Sequence, residues 1–311
     1  MGRGFLRAGV GSVRVAFTPR DVRPSPAGLG AMAGPRRRGP DSVPEGKAHV
    51  LLPRVHLLEF GDQPWCPRVI RDAQTDYLQC AIETTRMYDV IAPRLARAVR
   101  RSGKSRIVDL CSGGAGPWPG LRQRLESEGA AVTVLLTDKY PNRAAFERAA
   151  RGTNGAVTHE SQPIDVTAVP ARIRGFRTLF SSFHHFRPAE ARAILRDAIT
   201  RGEPVAVVEA TQRSVKAILL MLLAPITVWI LTPRIRPWRW SRFLLTYLIP
   251  VVPFVVLFDG IVSCLRTYTK KELEALAAGP EGATTEWEIA QDRAPGMPVP
   301  ITIAIGIPHR R

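Results

Sequence analysis

Cysteine is scarce in this chain of 311 residues, and its four copies (Cys66, Cys80, Cys111, Cys264) are scattered. There is no CxxC, and none of the four stands at ligand spacing from any of the six histidines. That pattern excludes a disulfide framework and a structural zinc, and the thiols read as reduced ones in a cytosolic compartment. Acids are also in short supply, with 27 Asp and Glu against 44 Lys and Arg and a formal charge of +17. The excess lies in scattered arginine patches without a long aromatic-interleaved stripe, so no nucleic-acid partner is expected. A solvated basic surface, or attraction to anionic lipid, accounts for it equally well. Residues 1–48 hold nine Lys and Arg, three acids and much Gly and Pro, but no continuous apolar segment of the signal-peptide kind. They read as a disordered basic leader, or equally as a stretch upstream of a start at Met32. The dinucleotide fingerprint GxGxxG is absent.

What is present centres on Ser105 to Gly120, SRIVDLCSGGAGPWPG. Arg106–Leu110 is too short an apolar run for a helix and reads as a buried strand. Gly113, Gly114 and Gly116 follow at once; without a Cβ they let backbone N–H groups approach a ligand at the start of the next helix. Upstream, two helical patterns (Asp72–Glu83, with Leu78, Ala81 and Ile82 on one face; Tyr88–Val99, with Ile91, Leu95 and Val99) predict a cap or ordinary packing on a sheet. Glu59 and Asp62-Gln63-Pro64-Trp65 lie on the loop leading in, where their mix of acid and aromatic suits a ligand-facing segment.

Downstream, strands and helices alternate. A helix is expected over Leu121–Glu128, a strand over Ala131–Leu136, a helix over Ala144–Arg151 and a strand over Val157–Ser161. A strand over Phe176–Ser182, a helix over Pro188–Arg201 and a strand over Pro204–Glu209 complete the series. Thr269, with Glu272 three residues on, predicts an N-capped helix to Ala278. Thr285–Gln291 and Pro300–Ile307 then read as two successive strands. Alternation implies a parallel sheet with right-handed crossovers, and the closing hairpin requires one antiparallel strand. Asp138, 22 residues past Gly116 at the tip of the second strand, is placed to accept hydrogen bonds from ribose hydroxyls. His184, His185 and Glu209, near the carboxyl ends of the fourth and fifth strands, are the candidate bases. Adjacent histidines are expected to point in different directions, so that at most one faces the site.

Over Arg106–Lys216 and Leu265–Pro308, about half its length, the chain resembles class I methyltransferases that use S-adenosylmethionine. The family's D-x-G-x-G-x-G loop stands here as Asp109-Leu110-Cys111-Ser112-Gly113-Gly114-Ala115, with Cys111 and Ala115 in place of two glycines. The resemblance implies S-adenosylmethionine as cofactor, with Asp109, Cys111, Ser112, Gly113 and Gly114 forming its loop and Asp138 holding the ribose. It also implies that Asp165 and Val166 bracket the adenine and that Ser181 and Ser182 lie near the methyl group and acceptor. It calls for no metal. A second class, a non-catalytic membrane-attached nucleoside-binding module, remains open. An NAD-type oxidoreductase needs a third loop glycine where this chain has Pro117-Trp118-Pro119, and a sixth parallel strand instead of a hairpin.

The departure from that pattern is an insertion with two apolar runs, Ala217–Pro233 and Phe243–Phe258, joined by RIRPWRWSR. Neither run reaches the ~20 residues that cross a bilayer core, and both contain proline. They read as a re-entrant or interfacial hairpin with arginine and tryptophan at headgroup level, or else as a lid packed on the domain or on a partner subunit. Either version points to a lipophilic small-molecule acceptor; the protein is expected in the cytoplasm, and the interfacial version makes it peripheral or monotopic at the inner face of the membrane. The expected architecture is α/β: a Rossmann-like, mostly parallel seven-stranded sheet with an antiparallel terminal strand, an N-terminal helical cap and a hydrophobic helical hairpin insertion. The divisions are a leader (1–48), the cap (49–104), the methyltransferase core (105–216), the insertion (217–264) and the C-terminal part of the core (265–311).

Overall fold

Seven short apolar runs form one sheet in the computed structural model, which describes residues 52–118, 120–279 and 284–309. The leader assigned to 1–48 lies outside these residues. The strands are β1 (Arg106–Leu110), β2 (Thr133–Leu136), β3 (Val157–His159), β4 (Phe176–Phe180), β5 (Val205–Glu209), β6 (Thr285–Asp292) and β7 (Ile301–Pro308). Their order is β3-β2-β1-β4-β5-β7-β6. β1 to β5 pair in parallel, while β7 runs antiparallel to both β5 and β6. The terminal strand is therefore the reversed one, as expected, but it sits inside the sheet with β6 at the edge. That placement lets the β6–β7 hairpin, joined by residues 293–300, extend the sheet without a crossover.

The helices are α1 (Arg68–Thr85), α2 (Ala92–Ser102), α3 (Gly120–Ser127), α4 (Arg143–Ala150), α5 (Pro188–Thr200), α6 (Val215–Met221), α7 (Ala224–Leu231), α8 (Trp240–Phe243), α9 (Val251–Arg266) and α10 (Lys270–Ala277). α10 opens on the predicted capping box: Thr269 Oγ1 accepts from Glu272 N–H at 3.3 Å, and the Glu272 carboxylate accepts from Thr269 N–H at 2.8 Å. Alternation along the strands splits the core into two layers. Ile107, Ala206 and Val208 face α2, α3 and α4 with Ile91, Leu95 and Phe146; Val108, Val205 and Val207 face α5 and α10 with Ile194 and Leu273. Near-continuous apolar strands are what a sheet covered on both faces demands.

The cap differs from its expected packing. Leu78, assigned to the buried face of α1, is exposed, and α1 instead buries Ala73, Gln74, Asp76 and Tyr77. The reason is the partner: this face packs on the insertion, where Ala73 and Tyr77 join Ala224, Val228, Ile235, Val252 and Val256. Tyr77 Oη lies 2.6 Å from Thr227 Oγ1. Asp76 is fully buried, takes a 2.7 Å ion pair from Arg148 of α4, and pairs with the buried Arg242 of α8.

Within the insertion the first apolar run is longer than its sequence suggests. α6, α7 and the turn after them form a helix over Val215–Arg234, 20 residues with mean hydropathy 2.1, long and apolar enough to cross a membrane. Ser214 caps its start, accepting from Ala217 N–H at 3.2 Å. Pro225 falls in the first turn of α7, where its missing N–H costs nothing, so it does not end the run. The second run is bent by 75° between Trp240–Leu248 and Val251–Arg266. Ala217, Ala224 and Val228 face the protein, whereas Leu219, Leu222, Leu223, Ile226 and Ile230 form an exposed stripe at helical spacing.

Candidate active site

The carboxyl ends of β1 and β4 lie side by side, with Leu110 opposite Leu179, at the point where the strand order reverses. In open α/β sheets that crevice is where ligands bind. The glycine loop leaves β1 there. Cys111 (φ 59°) and Ala115 (φ 97°), the two residues standing where the family pattern has glycine, both take positive φ. The loop thus takes a glycine-like backbone at both positions without glycine, at a cost of about 1–3 kcal/mol for each strained residue. Ser112 ties the loop to β2: its N–H donates to Thr137 O at 2.9 Å, and its hydroxyl donates to Asp109 O at 3.0 Å. Gly114 lies directly under α1, and a Cβ there would sit 2.6 Å from Thr75 O.

Asp109 is buried beneath the loop, its Oδ1 accepting from Thr178 Oγ1 at 2.6 Å. Burial pushes its carboxyl up to about 7, against the hydrogen bonds that favour the anion. Burial likewise holds the Cys111 thiol well above its usual range. Asp138 lies at the tip of β2, with Oδ2 accepting from Gly113 N–H at 2.8 Å and Oδ1 from Tyr140 N–H at 2.7 Å. Its pKa is raised, burial outweighing those two bonds. Asp165 caps the turn after β3 through Thr167 and pairs with Lys139 at 2.9 Å, and these contacts overcome its burial to lower its pKa. The Val166 side chain belongs to the core, so only its backbone is available to a ligand. Ser181 takes positive φ (42°), its hydroxyl 2.8 Å from Tyr88 Oη and accepting from Ala210 N–H at 3.1 Å. Ser182 Oγ is buried without a partner.

The two histidines depart from expectation. They fall in a 3-10 turn, and their rings lie 4.3 Å apart with an interplanar angle of 30° rather than pointing apart. Carboxylates fix both. Glu209 holds His184, with Oε2 2.8 Å from Nδ1 and Oε1 accepting from the His184 N–H at 3.1 Å. His184 Nε2 is buried and unpartnered, with Glu59 Oε1 3.9 Å away. His185 Nδ1 is 2.8 Å from Asp62 Oδ2 and 3.4 Å from Glu59 Oε2. Burial works against its proton, but the Glu59 and Asp62 carboxylates prevail and raise it to about 9. Arg266 of α9 donates to Glu59 and Asp62, each at 2.9 Å. Asp62 stays well below the usual carboxylate range because His185 and Arg266 outweigh its burial.

Glu59, His184 and His185 bring metal-ligating atoms within 4.8 Å of one another, yet the Arg266 guanidinium already supplies the cation beside these carboxylates. The loop Glu59–Asp62, singled out in sequence, therefore does reach the candidate bases. Trp65, by contrast, is exposed on the outer side of that loop. Arg266 carried no sequence signal, since a lone arginine ending an apolar helix looks like any last-turn cation.

No protein-family model matches the chain, and no curated protein matches it in sequence. Solved structures resemble it in shape. An O-methyltransferase family protein from Burkholderia thailandensis is similar over 80% of this chain and 61% of its own, at 14% identity and TM-score 0.45. Human N-acetylserotonin methyltransferase, in complex with S-adenosylmethionine, is similar over 76% of this chain and 56% of its own, at 12% identity and TM-score 0.44. A Rhodobacter sphaeroides protein described as a Zn-dependent alcohol dehydrogenase is similar over 78% of this chain and 98% of its own, at 15% identity and TM-score 0.43. The chain thus spans less than two thirds of the length of either methyltransferase. Likeness at this level carries no argument about chemistry. By its strand order, with β7 reversed between β5 and β6, the chain has the Rossmann-like fold of class I methyltransferases.

Proposed function

We propose that the chain is an S-adenosylmethionine-dependent methyltransferase whose acceptor is a hydroxyl on a lipophilic small molecule, working in the cytoplasm at or near the inner face of a membrane. This reading is carried by His184, a buried imidazole held by Glu209 at Nδ1 and left unpartnered at Nε2, at the carboxyl end of β4 beside the glycine loop. A carboxylate on one nitrogen fixes the tautomer, so that the other is free to take a proton. The residues at the ends of β1 and β2 fit the cofactor. Asp138 is anchored by two N–H donors, and each of its oxygens retains a lone pair for a ribose hydroxyl. Ser112 to Gly114 would hold the amino-acid end, and Asp165 with the Val166 backbone the adenine.

When bound, the cofactor supplies an electrophilic methyl on a sulfonium, so the acceptor needs only in-line placement and the loss of one proton. His184 accepts that proton at Nε2, and Glu209 stabilises the imidazolium that results. Burial of both side chains keeps bulk water from the proton-transfer step.

A greasy acceptor and membrane contact are supported by the exposed stripe of α6 and α7, flanked by Trp238, Trp240, Arg234 and Arg236. Anchorage of α7 and α9 on α1 favours lying in the interface over crossing it, although Val215–Arg234 has the length to cross. The test is transfer of tritiated methyl from S-adenosylmethionine into membrane extract, followed by solvent partition. Label should enter the organic phase with the wild type and fall by about 10²-fold or more with His184→Asn. Undiminished labelling by the variant would remove His184 from the chemistry.

A further inference from the structure

The loop Glu59–Cys66 has two sides of opposite character. Inward, Glu59 and Asp62 lie on His185 and Arg266, and Glu59 stands 3.9 Å from His184 Nε2. Outward, Phe60 packs between Trp65 (ring centroids 5.9 Å apart) and Phe254 and Phe258 of α9 (6.4 and 5.1 Å). Trp65 is 61% and Phe254 57% exposed, an aromatic edge with nothing of this chain over it among the described residues.

α9 joins the two sides. Its Phe254 lies in the aromatic edge, its Asp259 accepts from the N–H groups of Phe60 (2.8 Å) and Gly61 (3.0 Å), and its Ser263 and Arg266 hold Glu59. An acceptor hydroxyl must come within about 3 Å of Nε2 to give up its proton. Glu59, itself 3% exposed, closes that approach. The loop must move before any acceptor is bound.

The chemistry of the outer edge indicates what moves it. Exposed Arg68 and Val69 follow Trp65 at the start of α1, and exposed Lys216, Arg234 and Arg236 accompany the apolar stripe of α6 and α7. Aromatic and aliphatic side chains bordered by cations complement an anionic lipid surface, the rings entering the headgroup layer and the cations meeting phosphates. We propose that the loop Glu59–Cys66 is an acceptor gate seated between the catalytic pair and an anionic lipid surface, and that it opens when Trp65 and Phe254 enter that surface. The gate rests on the reading of the insertion as a membrane contact. It places the acceptor in the lipid phase, delivered to His184 only where the membrane is.

The experiment is hydrogen exchange at the Phe60 and Gly61 amides of the full chain, with and without vesicles of phosphatidylcholine and phosphatidylglycerol in equal parts. Sedimentation is read on the same samples. The protein should pellet with the vesicles, and exchange at both amides should rise several-fold as their bonds to Asp259 open. Trp65→Ala/Phe254→Ala, which alters exposed positions alone, should still pellet through the stripe of α6 and α7 with exchange unchanged. Pelleting of the wild type with unaltered exchange overturns the gate and leaves the membrane contact standing. Failure to pellet overturns both. Equal response to phosphatidylcholine alone overturns the anionic requirement.

Discussion

Replacing Gly114 with alanine should destabilise the protein, because α1 leaves no room for a Cβ. The new atom would lie 2.6 Å from Thr75 O, 3.1 Å from Thr75 C and 3.3 Å from Gln79 Cβ. Two of these neighbours are helix backbone and cannot rotate away, so α1 or the glycine loop has to shift by most of an ångström. α1 is not free to yield. Asp76 ties it to Arg148 and Arg242, and Gln74 donates to Asp259 at 2.9 Å. Overpacking of this kind costs about 1–3 kcal/mol. For a domain of this size each kilocalorie lowers the melting temperature by about 2–4 °C, so a fall of roughly 2–12 °C is expected. Calorimetry of the two proteins measures it. Gly120→Ala is the control: a Cβ there meets nothing within 4 Å, and as the first residue of α3 it should be neutral or stabilising by up to about 1 kcal/mol. A Gly114→Ala protein that melts with the wild type would refute the close seating of the cap on the loop.

Asp109→Asn tests the buried carboxyl under the same loop. With a folded value of about 7 against 3.8, the native state keeps its proton while the unfolded state loses it, so wild-type stability falls as pH rises from about 4 to 7. Asparagine removes that slope, giving a variant more stable by up to about 4 kcal/mol at pH 8 and not at pH 3; parallel denaturation curves at the two pH values would contradict it. Asp76→Ala strands the buried Arg242 cation and should cost about 3–5 kcal/mol in urea unfolding, partly recovered by adding Arg242→Met. If the double variant is no more stable than the single one, Arg242 does not depend on Asp76 for its burial.

The sheet could be read from the chain because each strand is a short apolar run between turn residues, and because Asp109, the glycines and Asp138 are fixed to it by close sequence spacing. His184, in the turn after β4, and Glu209, at the end of β5, are named as candidates for the same reason. The meeting of Glu59 with Arg266 was not readable: it joins a loop before the first helix to the end of α9, and nothing local announces it. The orientation of the histidine pair also depends on neighbours, since a 3-10 turn and carboxylates from two other segments bring the rings together. Leu78 misled because the helical period of α1 reports apolar positions but not which of two faces finds a partner. Its docked face is completed by the insertion, and that pairing emerges only in three dimensions. The first apolar run looks too short to span a bilayer because the apolar stretch Ala217–Pro233 stops at a lysine and an arginine, whereas the helix takes in Val215, Lys216 and Arg234 and continues through Pro225, which lies in a first helical turn.

The most direct test of the central claim is a calorimetric titration of the full chain with S-adenosylmethionine, repeated with NAD and with an Asp138→Ala protein that has been shown to fold. The account predicts saturable binding of S-adenosylmethionine, weakened about tenfold or more when Asp138 no longer meets the ribose, and no binding of NAD. Absence of heat with S-adenosylmethionine, or tighter binding of NAD, would contradict it.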